Sequence, residues 1–290
     1  MSITDKLSFI STLHRVPYPE IDPRKPTSSA TGKTILITGG ATGIGFATAR
    51  NFAVAGASTV VLLARREEKL REAASELSAA FPDVQVLTYA VNITDEAAIQ
   101  EVFSSIRQTA LNKDVDVLVT SAAFIKADKS LSATPLSEVK TTFETNVVGN
   151  LNVVNSFLNT PKEEGKVIVD ITSYGSYMVF PQTGPYGASK AAFSFLMRHV
   201  QFEHPKLRVY TLHPGAIWTP GVAGSGLRED MLQWDDENLP GQFIVWLAGQ
   251  EAEFLKGRFL ASHWDVTELM ANKEKFESNM DVGTIGLRRY

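Results

Sequence analysis

The feature that most constrains this chain is an alternation of short apolar runs with helical stretches, with a glycine-rich turn at the first changeover. β-rich runs stand at 34–38 (TILIT), 58–63 (STVVLL), 84–89 (VQVLTY), 115–120 (VDVLVT), 166–171 (KVIVDI), 207–212 (LRVYTL) and 257–261 (GRFLA). Several are apolar nearly throughout, as strands are when helices cover both faces of a sheet. Between them, Leu70, Ala73, Ala74 and Leu77 share one helical spacing, and Ile99, Val102, Phe103 and Ile106 share another. Thr94 is expected to cap the second helix, with Asp95 and Glu96 favourable in its first turn. Strands alternating with helices imply right-handed crossovers and a parallel sheet.

The turn after the first strand reads Thr38-Gly39-Gly40-Ala41-Thr42-Gly43-Ile44-Gly45 and leads into a helical run. In such a turn one glycine permits a tight bend, one lets backbone amides approach a pyrophosphate, and one allows close packing of helix on strand. Gly39, Gly43 and Gly45 are assigned to these roles in that order. The helix start then offers unpaired N–H groups and a partial positive charge to phosphates.

Composition narrows the field. With a formal charge of -4, neither nucleic acid nor an anionic membrane is the expected partner. The absence of cysteine excludes disulfides, thiol nucleophiles and cysteine-held metal, and no metal site is expected. The longest apolar runs, such as Val60 to Ala64, are too short to span a bilayer, and Met1 to Pro19 lacks the apolar core of a secretory signal. A cytosolic protein is expected. Residues 1–32 read as a Pro-rich arm, through Pro17, Pro19, Pro23 and Pro26, and 33–290 as the catalytic domain.

Tyr186-Gly187-Ala188-Ser189-Lys190 places a phenol and an ammonium four residues apart on one helix face. Ser173 lies thirteen residues upstream of Tyr186, just past a strand and so at the carboxyl end of the sheet, where open α/β folds hold ligands. Asn146 lies earlier, in TNVVGN.

In order and spacing these motifs resemble the classical branch of the short-chain dehydrogenase/reductase family, over about residues 33–265. The resemblance implies a single α/β domain: a Rossmann-type, doubly wound parallel sheet of about seven strands with helices on both faces. It implies an oxidoreductase that interconverts a carbonyl and an alcohol with a nicotinamide cofactor, through Asn146, Ser173, Tyr186 and Lys190. Hydride addition to a ketone leaves an oxyanion that needs a proton donor, and the reverse reaction needs a base at the same oxygen. A free tyrosine titrates near ~10, so the Lys190 ammonium, with an oxidised nicotinamide, is expected to lower Tyr186; a fall of about 3 units corresponds to roughly 4 kcal/mol. Ser173 would bond the substrate oxygen. By the same resemblance, Lys190 also holds the nicotinamide ribose and Asn146 supports a water that links Lys190 to solvent.

The cofactor side follows. Thr38, Gly39, Thr42, Gly43, Ile44 and Gly45 form the cradle. Ala64 stands where the family's NAD-preferring members carry Asp, and Arg65 follows it, so NADP(H) is expected to be preferred over NAD(H). Glu67 and Glu68 are nearby carboxylates able to occupy that arginine. Asn92 stands at the family's adenine-contacting Asp. Ala122 lies in Thr120-Ser121-Ala122-Ala123, where the family usually shows NNAG. Pro214, Ile217 and Thr219 match its PGxIxT segment, in which the resemblance implies that the Ile217 backbone meets the nicotinamide carboxamide and Thr219 the carboxamide or the pyrophosphate.

Phe124, Tyr174, Tyr177, Met178, Phe180, Gln182 and Trp218 are the candidate substrate residues, suited to a hydrophobic or aromatic carbonyl compound. Residues 220–240 resemble the family's mobile substrate loop. The segment FLKGRFLASHWDVTEL resembles members from filamentous fungi, many of which serve secondary metabolism. The helix from Tyr186 to Glu203 resembles one used in family dimers and tetramers, so a homo-oligomer is expected. Two other readings stay open: a non-redox lyase or isomerase on this scaffold, and a cofactor-binding regulator without catalysis.

Overall fold

The computed structural model describes residues 6–110, 114–159 and 163–286; the first five residues of the arm and the last four of the chain lie outside these. Seven strands form one sheet: β1 (Thr34–Thr38), β2 (Thr59–Ala64), β3 (Gln85–Ala90), β4 (Val117–Thr120), β5 (Val167–Ile171), β6 (Arg208–His213) and β7 (Phe259–Ala261). All neighbours are parallel, in the order β3-β2-β1-β4-β5-β6-β7. The order reverses between β1 and β4, and at that point the carboxyl ends open a crevice for ligands. Thr38 is level with Leu63 of β2 and Thr120 of β4, so the glycine turn leaves the sheet there.

The α-helices that precede β7 are, in chain order, α1 (Gly43–Val54), α2 (Glu67–Ala80), α3 (Glu96–Thr109), α4 (Leu136–Phe143), α5 (Asn150–Leu158), α6 (Gly184–Glu203), α7 (Pro220–Ala223) and α8 (Asn238–Ala248). Alternate residues of β1 serve opposite layers. Ile35 and Ile37 pack with Phe52 of α1, Leu70 of α2 and Phe243 of α8, while Leu36 packs with Ile99 of α3, Phe157 of α5 and Phe193 of α6. Each fully buried side chain of this kind contributes about 1.5–3 kcal/mol.

The cap of α3 falls one residue later than expected. Asp95, not Thr94, accepts from the Ala98 amide at 3.0 Å, because Asn92 forms its own turn with Thr94 and Asp95 and delays the helix.

The described part of the arm packs on the α1/α8 layer. Ile10, Tyr18 and Ile21 are buried, and Pro19 and Pro26 each open a single 3-10 turn. Leu13 bridges antiparallel to Trp264, and the Tyr18 hydroxyl donates to the Trp264 carbonyl at 2.9 Å. Ser11 and Thr12 donate to Glu268 and hold its carboxyl down at about 2.

Candidate active site

At the cradle, Thr42 is extended and makes no side-chain hydrogen bond to the start of α1, which leaves the first amides of that helix without a side-chain cap. Gly43 has φ +53, and a Cβ there would stand 2.9 Å from Thr219 Cγ2. A Cβ on Gly45 would stand 2.9 Å from the Gly39 carbonyl carbon. Only glycine permits this packing of helix on turn, and the resulting cup of free amides fits a pyrophosphate.

The β4 loop is held despite its unusual Thr120-Ser121-Ala122-Ala123. Thr38 Oγ1 accepts from both the Ser121 and Ala122 amides at 3.0 Å and donates to Asn150 Oδ1 at 3.3 Å. Asn150 Nδ2 closes the ring by donating to the Ala122 carbonyl at 3.0 Å. Sequence reasoning missed Asn150, whose only signal was a second asparagine one turn after Asn146.

Arg65 lies exposed beyond β2 and joins no ion pair among the described residues, while Glu67 engages Arg71 at 3.3 Å instead. Asn92 is also exposed, and its Oδ1 accepts from the Thr94 amide at 3.3 Å.

Ser173 follows β5, and its Oγ accepts from the Gly175 amide at 3.1 Å. The Tyr186 phenol, in the first turn of α6, lies near enough to the same hydroxyl for Ser173 to act on its titration. Gly187 lets α6 approach, since a Cβ there would meet the Gly175 carbonyl oxygen at 2.5 Å. Lys190 is buried, donates to the Ile171 carbonyl at 2.6 Å, and holds its Nζ 6.0 Å from the centre of the Tyr186 ring. Asn146 sits in a π-helical turn, Glu144–Gly149, of the kind that often marks functional positions. Its Oδ1 accepts from the Phe124 amide at 2.7 Å, and its Nδ2 donates to the Phe124 carbonyl and to Ser189 Oγ, both at 2.9 Å. Ser189 in turn donates to the Tyr186 carbonyl at 2.7 Å. The Asn146 side chain is thus committed to fixing Phe124 and the start of α6.

A buried carboxylate beneath the site went unnoticed in the sequence. Asp170 accepts from Thr120 Oγ1 at 3.2 Å and from Ser194 Oγ at 3.4 Å. Burial pushes its carboxyl up to about 6, against the opposing pull of the Lys190 charge. Burial lowers Lys190, with Asp170 opposing. Tyr186 departs from expectation: burial pushes its phenol up to about 12, Asp170 adds to the rise, and the Ser173 hydroxyl opposes it. Desolvation of the phenolate outweighs every stabilising contact that the protein alone supplies.

Pro214 and Ile217 are buried in the segment after β6, and Thr219 caps α7 by accepting from the Val222 amide at 3.2 Å. Of the substrate candidates, Phe124, Met178, Phe180 and Trp218 are partly exposed near this end of the sheet. Trp218 packs on Trp234 with ring centres 5.0 Å apart. Tyr177 stands edge-on to Phe259, and exposed Gln182 takes a left-handed φ of 62 just before α6. Tyr174 is a correction. It is buried against His213 with ring centres 3.8 Å apart, and its hydroxyl meets His263 Nε2 at 2.9 Å, so it belongs to the core. A short aromatic run gives no sign of which ring turns inward.

Comparison with known proteins agrees with this geometry. The family model for short chain dehydrogenases matches residues 33–229. The short chain dehydrogenase/reductase AacuD of Aspergillus aculeatus is 37% identical over 261 residues, covering 89% of each chain. A short chain dehydrogenase/reductase of Claviceps purpurea is 37% identical over 263 residues, covering 89% of this chain and 87% of that one. Among solved structures, a dehydrogenase/reductase from Sinorhizobium meliloti 1021 superposes with a TM-score of 0.72 at 25% identity, over 81% of this chain and 95% of that one. A short chain dehydrogenase from Burkholderia cenocepacia J2315, solved in complex with NADP, gives a TM-score of 0.72 at 22% identity, over 80% and 96%. The chain is an oxidoreductase that belongs to the short-chain dehydrogenase/reductase family.

Proposed function

We propose that this protein uses NADP(H) to interconvert a ketone or aldehyde and an alcohol on a small hydrophobic or aromatic substrate, as a reductase when the phenol starts protonated. What carries the reading is the meeting of the Ser173 hydroxyl, the Tyr186 phenol and the buried Lys190 ammonium beside the glycine cradle. The nicotinamide, when bound, supplies or takes the hydride. The chain supplies the rest. The amides of residues 43–45 and Thr219 would hold the pyrophosphate, and Lys190 the ribose. Ser173 orients the substrate oxygen, and Tyr186 gives that oxygen a proton. A phenol that keeps its proton through neutral pH is already in the form that reduction requires.

The 2′-phosphate reading rests on Arg65, an exposed guanidinium with no carboxylate partner among the described residues. Titration with NADPH and NADH is expected to favour NADPH, and Arg65→Ala to weaken NADPH by about tenfold or more while leaving NADH unchanged, since one charge-assisted bond contributes about 1.5–3 kcal/mol. Equal losses for both dinucleotides would remove the 2′-phosphate assignment.

A substrate from secondary metabolism is consistent with the fungal relatives, and a cytosolic homodimer or homotetramer is proposed. Among the described residues no helix is long and apolar enough to cross a membrane. Phe195 and Phe202 of α6 are 56% and 85% exposed, an apolar face suited to a second copy. Light scattering is expected to return at least twice the chain mass, and Phe202→Glu to shift it toward the monomer. A monomeric wild-type mass would contradict the assembly.

A further inference from the structure

We infer that Arg15 in the N-terminal arm and Asp235 in the loop before α8 are positioning residues that hold the 214–219 segment in shape for the nicotinamide half of the cofactor. The inference rests on the proposed NADP(H) reading.

Asp235 is the keystone. One of its carboxylate oxygens accepts from the Ala216 amide at 2.8 Å, and the Asp235 amide donates to the Ala216 carbonyl at 2.7 Å. Both polar groups of the Ala216 backbone, inside the Pro214–Thr219 segment, therefore depend on this single residue. The approach is close, since a Cβ on Gly215 would stand 2.6 Å from that oxygen, and Gly215 has φ +93. The other carboxylate oxygen faces the arm and accepts from Arg15 Nε at 2.6 Å. The same guanidinium donates through one amino group to Gln233 Oε1 at 2.6 Å and through the other to the Gln233 carbonyl. The Arg15 carbonyl accepts from the Asp236 amide at 2.9 Å.

The guanidinium fork ties two points of the loop, Gln233 and Asp235, at once, with a geometry that lysine lacks, and the Arg15 backbone adds the tie to Asp236. Asp235 is only 9% exposed, so its charge is best satisfied by a partner brought to it, and the arm brings one. The arm itself is fixed independently of the loop, through Tyr18 on Trp264 and Ser11 on Glu268. Trp234 carries the restraint onward by packing on Trp218, two residues beyond Ala216. Without Arg15 the loop has fewer ties, and a 214–219 segment that is competent only part of the time weakens whatever must bind against it.

The test uses the full chain with NADPH and adenosine 2′,5′-bisphosphate as probes, in wild type, Arg15→Ala, Asp235→Asn and the double variant. The bisphosphate lacks the nicotinamide and engages only the adenosine end. NADPH is expected to weaken about tenfold in each single variant and no further in the double, because both act through one contact. Binding of the bisphosphate should stay unchanged, which general unfolding would not allow. Arg15→Lys should recover part of the NADPH loss. Hydrogen exchange without any cofactor should quicken about tenfold at residues 214–219 in Arg15→Ala, while the 264–268 stretch keeps its protection. Unchanged exchange overturns the clamp whatever the cofactor proves to be. Unchanged NADPH affinity with faster exchange overturns its link to the cofactor. A wild type that binds the bisphosphate but neither dinucleotide overturns the nicotinamide reading and this assignment together.

Discussion

Replacing Tyr186 by Phe is expected to lower kcat for carbonyl reduction by about 10²- to 10⁴-fold, the range for loss of a positioned proton donor, with NADPH affinity unchanged. Phenylalanine keeps the ring that lies 6.0 Å from Lys190 Nζ, so what is removed is the hydroxyl alone. The neighbouring Ser173 hydroxyl is too weak an acid to replace it, and Lys190 is turned toward the Ile171 carbonyl. The pH dependence has a definite sign. With the phenol pushed up to about 12, the acid form dominates through neutral pH, so wild-type reduction should be level there and fall only at strongly alkaline pH. Alcohol oxidation needs the phenolate and should rise with pH across the same range. The residual activity of the Phe variant should show neither dependence. A variant that keeps more than a tenth of wild-type kcat would mean that another group delivers the proton.

Much of this site is legible in the sequence, for identifiable reasons. The strands were legible because a sheet covered on both faces leaves nearly unbroken apolar runs, and β1 and β2 are buried almost throughout. The cradle was legible because Gly43 and Gly45 occupy positions from which any side chain would collide with a neighbour. Ser173, Tyr186 and Lys190 were legible because helix periodicity and the strand end fix their meeting place. What stayed hidden depends on contacts distant in sequence. Asp170 sits in an apolar strand with nothing to mark that Thr120 and Ser194 converge on it. Tyr174 reads as a pocket residue in sequence because its partners, His213 and His263, arrive from 39 and 89 residues away. The direction of the Tyr186 shift is also illegible, since residue type suggests a lysine's pull but reveals neither the burial that raises the phenol nor the Asp170 charge that adds to the rise.

The histidines under Tyr174 make the site acid-sensitive, and the size of that effect can be stated for His263. Burial holds His263 down at about 4 from an ordinary 6.5, and it is 5% exposed. A depressed histidine contributes stability that is whole above the unfolded value and is lost as pH falls toward the folded one. From pH 7 to 4 this amounts to about 3 kcal/mol. Glu268, held at about 2, begins to lose its contribution only near 4.5, so it leaves all but the acid end of this window to the histidines. Asp170, raised to about 6, works in the opposite sense and gains stability as pH falls from 6 toward 3.8. The decisive quantity is therefore a difference: in urea titrations, the advantage of wild type over His263→Gln should shrink by about 3 kcal/mol between pH 7 and pH 4. An advantage that stays constant would mean that His263 is not held neutral by its surroundings. His213 adds a route from stability to chemistry. Its Nδ1 accepts from the Tyr174 amide at 3.3 Å, so the neutral ring carries its proton on Nε2, and a second proton on Nδ1 must break that bond. Tyr174 directly follows Ser173. Burial, helped by the neighbouring His263, holds the His213 imidazole well below its ordinary value, so the folded protein keeps that bond, and with it the Ser173 hydroxyl, in place at pH 5; the loss of kcat through this route should follow the folded fraction.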